Sequence, residues 1–250
     1  MHGDLINLAS TSMFTAYYDA SGKVLAGGFL SVAGLVSTEK KWSKFEARWN
    51  ERLGEFDVPR FHMVEFMQSR GNFRGWAGDI TKRGEFLSGL VKTIKQGVNK
   101  IFVVTLTADS VDALAAMFKF GGLKAEGAYH IAAGTCMHMI EAWVGRKYPG
   151  KHVAHVHEHG DLGQGTLPVV VSSRFQMRFV RKRDESGRDI RPFEAADLVA
   201  WEYRKHVHKL ATSESVTARH SIVQIAKMLP RNLSSPVRRS PVEISEPPPV

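Results

Sequence analysis

Three acidic positions in this 250-residue chain have surroundings that suit chemistry. Asp19 closes the β-prone run Phe14-Thr15-Ala16-Tyr17-Tyr18 and precedes Ala20-Ser21-Gly22. A carboxylate at a strand end lies beside low-dielectric core with one face open, which seats a divalent-metal ligand well. An Asp that simply starts a turn leaves the same pattern. Asp197 stands in Pro192-Phe193-Glu194-Ala195-Ala196-Asp197-Leu198-Val199-Ala200-Trp201, with Phe193, Ala200 and Trp201 at −4, +3 and +4. On a helix that spacing turns it inward. A buried carboxylate must meet a metal, a cation or hydrogen-bond donors, so a metal site, a bond into the core or an ion pair with an Arg would each answer. Glu194 lies three residues earlier on the same face and is a further candidate ligand.

The third position is in His155-Val156-His157-Glu158-His159-Gly160-Asp161. On a strand, His155, His157 and His159 line one side and Glu158 the other. Two chemistries follow. Glu158 could be a metal ligand brought near Asp19 by an adjacent strand, with Asp161 as an auxiliary. Alternatively, the alternating imidazoles could bind zinc directly. His62 and Glu65, in Phe61-His62-Met63-Val64-Glu65-Phe66, are candidate substrate contacts or supports for the ligands. Between Arg174 and Arg191 fall seven basic residues, with Phe175, Met177 and Phe179 interleaved. Alternation sends the apolar side chains inward, leaving Arg174, Arg178, Arg181, Lys182 and Arg183 as a candidate phosphate-tracking strip. A solvated hairpin fits that pattern equally.

The elements that must hold these residues are legible as periodicities. Thr15 to Tyr18 predicts a strand ending at Asp19, with Ser21-Gly22-Lys23 as a turn into one or two strands over Val24 to Val36. Ser37-Thr38-Glu39 predicts a helix start, and Trp42, Phe45, Trp49 and Leu53 give that helix one aromatic inward face. Pro59 to Gly78 reads as irregular. Helices are expected over Thr81 to Gly97, Ser110 to Phe120, Ala125 to Lys147, Pro192 to Leu210 and within Ser213 to Leu229. Strands are expected over Lys100 to Thr107, His152 to Glu158 and Arg174 to Val180. From Pro230 the composition turns to Pro, Ser and Arg, which predicts a disordered tail.

Composition narrows the classes. Hydrophobic residues at 43% and charged residues at 24% fit a globular protein and exclude a fibre or a membrane bundle. Basic residues exceed acidic ones, 34 against 25, and this net charge of +9 favours a polyanionic partner, nucleic acid first. The single cysteine, Cys136, excludes a disulfide framework and reads as a buried thiol. The N-terminal residues lack a signal-peptide pattern and no apolar run is long enough to span a bilayer, so a cytoplasmic location is expected.

Tyr17-Tyr18-Asp19-Ala20-Ser21-Gly22 and the segment Pro192 to Trp201 together resemble the bacterial family labelled domain of unknown function 3800 (DUF3800). That family opens with a strand ending Asp-Glu-Ser-Gly and later carries a Gln-x-Ala-Asp-Leu-(Ile/Val)-Ala helix. The resemblance spans roughly Phe14 to Leu210. It implies an α/β, ribonuclease H-like fold, a mixed central sheet flanked by helices, with residues 1–212 as the domain and 213–250 as an extension. It also implies Asp19, Glu158 and Asp197 as acidic ligands of Mg²⁺ or Mn²⁺, with His62 in a supporting segment. Here Ala20 stands in place of the family's second acid, and Glu194 in place of its Gln. The reading that follows is a metal-dependent phosphodiester hydrolase, a nuclease, with His157 or His62 shuttling a proton. A nucleic-acid-binding module without turnover and a zinc hydrolase on the histidines are the alternatives.

Overall fold

The fold grows outward from β1 (Phe14–Gly22). β2 (Leu30–Thr38) runs antiparallel on one side of it, and β4 (Val153–Glu158) runs parallel on the other. β3 (Lys100–Leu106) adds antiparallel to β2, and β5 (Gln176–Val180) adds parallel to β4. In this computed structural model the described residues are 14–24, 28–111, 125–158, 176–183, 187–212 and 219–229. Among them the strands form one mixed five-stranded sheet in the order β3-β2-β1-β4-β5. The expected α/β architecture, a mixed sheet flanked by helices, is present.

Strand alternation sorts the side chains into two cores. Phe14, Ala16 and Tyr18 of β1, with Val32 and Val36 of β2, face α4 (Ala125–Lys147), whose Ala132, Ala133, Cys136, Met137, Ile140 and Val144 are buried against them. Tyr17, Ala33, Leu35 and Ile101 face the other way. There they meet α1 (Glu39–Gly54), α3 (Ile80–Gly97), α5 (Arg191–Thr212) and α6 (His220–Ala226). Trp42, Phe45, Trp49 and Leu53 form the buried face of α1, as their spacing predicts. Residues 192–202 of α5 are buried throughout, because this half of the helix lies across β1 and β2.

Several boundaries differ from expectation for identifiable reasons. β1 does not stop at Asp19 but continues to Gly22, because Asp19 to Gly22 keep pairing with Ala33 to Leu30. Gly22 then turns the hairpin at a φ of 88°, where a Cβ would stand 2.1 Å from the Phe29 carbonyl oxygen. The stretch Pro59 to Gly78 is less irregular than its Gly and Arg content suggests. It holds α2 (Met63–Gln68) and a 3-10 turn at Gly71–Phe73. Tertiary packing overrides local propensity there, with Phe61, Phe66, Phe73, Trp76 and Phe86 joined edge-to-face or tilted in one aromatic cluster. The helix expected over Ser110 to Phe120 falls mostly outside the described residues, as does the tail from Pro230. Within Ser213 to Leu229 the described helix is α6, whose Ile225 lies in the core with Leu229 just beyond it.

One contact fixes how close α4 approaches the sheet. A Cβ on Gly34 of β2 would stand 2.6 Å from Tyr18 Cε1 and 2.9 Å from both Cys136 Sγ and Ile140 Cδ1. Overpacking of this kind costs about 1–3 kcal/mol. Gly34→Ala is therefore expected to lower the unfolding free energy by that amount in urea titrations. An unchanged midpoint would show that α4 does not rest on β2 this closely.

Candidate active site

The register of β1 and β4 brings two of the acids together. Tyr18 pairs with His157, so Asp19 and Glu158, each one residue further along its strand, lie side by side on the sheet's α5 face. Val180 of β5 pairs with Glu158, which sets Lys182 just past the end of that strand. The Lys182 ammonium bridges the pair, 2.8 Å from Glu158 Oε2 and 3.5 Å from Asp19 Oδ2. Asp19 Oδ1 also accepts the Ala20 N–H at 2.7 Å. Burial alone would lower the Lys182 pKa, but Asp19 and then Glu158 hold it above its ordinary value, so the ammonium stays charged.

α5 supplies the third acid. Asp197 is buried, and its Oδ2 accepts the Met63 N–H at 2.7 Å, at the first turn of α2. That bond satisfies one of the donors a helix start leaves open. Burial pushes the Asp197 carboxyl above the usual range, while the Met63 N–H, His62 and Lys182 pull it back and Glu158 adds to the rise. His62 places Nε2 3.9 Å from Asp197 Oδ2 and Nδ1 3.8 Å from Glu65 Oε1. These groups surround a cleft of about 620 Å³ whose wall includes Arg60, His62, Glu158, Arg181, Lys182 and Asp197. Asp19, Glu158, Asp197, Lys182 and His62 are thus brought to one place.

Other expected site residues are placed differently. Glu194 is tied into the scaffold: Trp49 Nε1 donates to its Oε2 and Arg191 Nη1 to its Oε1, both at 2.6 Å. Arg191 also donates to Asn50 Oδ1 and the Pro59 carbonyl, so this knot fastens α5 to α1 and to the chain entering α2. Both oxygens of Glu194 already accept hydrogen bonds, which corrects its reading as a metal ligand. His157 is not brought to the carboxylates, because alternation sends it to the α4 face. There it stacks on Tyr18 at 4.4 Å and bonds Tyr129 Oη at 3.3 Å. Burial, and then His155, lower its pKa to about 3, so it stays neutral and has no route to shuttle a proton into the cleft.

His155 is likewise occupied. Its Nδ1 is 2.6 Å from Tyr18 Oη and its Nε2 3.0 Å from Glu141 Oε1. The carboxylate fixes the proton on Nε2 and makes Tyr18 the donor to Nδ1. Both ring nitrogens are thereby used, which removes the basis of the zinc reading at His155. His159 and Asp161 lie outside the described residues, as does Arg174 of the basic strip. Arg178 pairs opposite Val156 within the sheet, whereas Arg181 and Arg183 are exposed at the cleft. Arg183 Nε donates to Asp189 Oδ1 at 3.1 Å.

Sequence reasoning placed Lys182 among phosphate contacts and missed its bridge between two acids. The available signal is that it is the one Lys in an otherwise Arg-only strip. A compact ammonium on a flexible stem can sit between two carboxylates where a planar fork prefers one.

The oxygen-only donor set of Asp19, Glu158 and Asp197 suits a hard cation such as Mg²⁺ or Mn²⁺. Their present spacing does not yet suit it. Among the described residues, no three acidic, histidine or cysteine side chains stand close enough to share one ion, and Lys182 occupies the space between two of them.

No family profile matches this sequence, and no curated protein matches it. Among solved structures the layout resembles that of ribonucleases H. A Bst ribonuclease HIII solved in complex with Mn²⁺ shares 13% identity over 88% of this chain, with a TM-score of 0.48. This chain spans 63% of that ribonuclease HIII. Ribonuclease H3 of Aquifex aeolicus shares 14% identity over 93% of this chain and 74% of its own, with a TM-score of 0.41. Ribonuclease H2 of Pyrococcus horikoshii OT3 shares 12% over 86% and 84%, with a TM-score of 0.40. At these values the likeness is one of layout, and the chemistry of the cleft rests on its own geometry.

The Glu194 knot carries a pH signature. Burial raises its pKa from 4.5 to about 7 against the opposing pull of Arg191 and Trp49. The folded state therefore holds this proton more tightly than the unfolded chain. Its contribution to stability is complete below pH 4.5 and falls as the pH climbs toward 7. Glu194→Gln cannot titrate, so between pH 4.5 and 7 its urea-derived stability should fall less than that of wild type, by at most about 1.4 kcal/mol per pH unit. Parallel pH profiles for the two proteins would contradict this account.

Proposed function

We propose that the cleft is the active site of a divalent-metal-dependent phosphodiester hydrolase acting on nucleic acid, a nuclease of ribonuclease H-like layout. One observation carries this reading: Asp19, Glu158 and Asp197 arrive from two parallel strands and a helix at one cleft edged by Arg60, Arg181 and Arg183. Acids gathered inside a basic protein of net charge +9 suit a site where a cation and a polyanion meet. A bound Mg²⁺ or Mn²⁺ would supply charge stabilisation at the phosphoryl oxygen and lower the pKa of a bound water.

The protein's own groups have separable tasks. Asp19, Glu158 and Asp197 would hold the ion. Arg181 and Arg183, exposed at the mouth, position the phosphate backbone without reading bases. His62, partly exposed and facing Asp197, can carry a proton at Nε2 between the cleft and solvent. The second reading is a module that binds nucleic acid without cutting it. The Lys182 bridge favours that reading, because it neutralises the two strand acids with no metal present.

Cleavage assays on single- and double-stranded DNA, RNA and a hybrid, with Mg²⁺, Mn²⁺ or EDTA, separate the two. The expected result is cutting that requires the divalent ion. It should drop at least about a hundredfold in folded Asp19→Asn and Asp197→Asn, since lesser changes around metal ligands already cost 10–100-fold. No cutting of any substrate by wild type, with salt-sensitive binding intact, would leave the binding module.

A further inference from the structure

We propose that Lys182 is the built-in counter-cation of the metal-free site, and that a divalent ion enters by displacing its ammonium from between Asp19 and Glu158. This rests on the metal-dependent reading of the cleft and adds how the site is held ready and how it is filled. Without an ion, two carboxylates at adjacent positions on neighbouring strands repel across a partly desolvated space. At an effective dielectric of ~20, two like charges ~4 Å apart cost roughly 4 kcal/mol. The Lys182 ammonium, 2.8 Å from one and 3.5 Å from the other, removes that repulsion.

The surroundings of Lys182 separate a fixed backbone from a movable head. Its carbonyl accepts the Ile190 N–H at 2.7 Å, and Arg183 next to it bridges to Asp189, so the chain at Lys182 is anchored. The side chain is 40% exposed and lies on the cleft wall, so its four-carbon stem can swing into the cleft without disturbing the sheet. Asp19, in contrast, is buried on β1 and Asp197 on α5, and neither can move far. Exchange of cations therefore moves one side chain. The displaced ammonium then lies beside exposed Arg181 and Arg183, on the side from which a phosphate backbone would approach.

The competition has a measurable direction. Isothermal titration of Mn²⁺ into the full chain should give at least tenfold tighter binding for Lys182→Met and Lys182→Gln than for wild type, with all three shown folded by circular dichroism. In EDTA both variants should melt below wild type, and Mn²⁺ should raise their melting temperatures more than it raises wild type's. Asp19→Asn should weaken Mn²⁺ binding in either background. Unchanged or weaker binding in both Lys182 variants would overturn the counter-cation role while leaving the metal site standing. Failure of all three folded proteins to bind Mn²⁺, or binding indifferent to Asp19→Asn, would overturn the metal-dependent reading and this proposal with it.

Discussion

Two carboxylates on neighbouring parallel strands cannot share a sheltered face of a sheet unless a positive charge stands between them. Asp19 and Glu158 meet that condition through Lys182, and much of the local architecture follows from it. The parallel pairing of β1 and β4 sets the acids side by side, and the parallel pairing of β4 and β5 delivers the lysine. Were β4 shifted by one residue against β1, the Tyr18–His157 stack would be lost and Glu158 would face the wrong core. The stack on one side of the sheet and the charge cluster on the other thus enforce the same register.

The third acid depends on a different kind of bond. Asp197 lies on the buried half of α5, and the position of that helix is set by the Glu194 knot with Trp49 and Arg191. The same helix therefore carries one carboxylate for structure and one for the cleft. Their partners tell them apart: an indole and a guanidinium close off Glu194, whereas Asp197 takes a backbone N–H on one side and faces His62 and the cleft. Rigidity beneath the site comes from Tyr17, which meets Phe193 and Trp42 edge-to-face between β1, α5 and α1.

The sequence made some of this legible and hid the rest for physical reasons. Periodicity located α1, α4 and α5 because each buries a continuous stripe, and the inward position of Asp197 follows from that spacing alone. Alternation also placed Glu158 opposite the histidines on β4. It could not say which face of the sheet would be the site, and so left both Glu158 and His157 as candidates. Glu194 misled because a buried glutamate paired with an arginine three residues away leaves the same sequence trace as a ligand. α2 escaped notice because a six-residue helix has too few turns to show a period, and its start is satisfied by Asp197 from a distant part of the chain. The Lys182 bridge joins residues brought together only by sheet order, which no local pattern records.

The most direct test is crystallographic: crystals grown without metal, soaked in Mn²⁺, and measured at a wavelength where manganese scatters anomalously. The account predicts one strong peak within ligand distance of Asp19, Glu158 and Asp197, with the Lys182 ammonium turned away toward the cleft mouth. Absence of a peak there, or a peak on the histidine side of β4 with the Lys182 bridge intact, would contradict it.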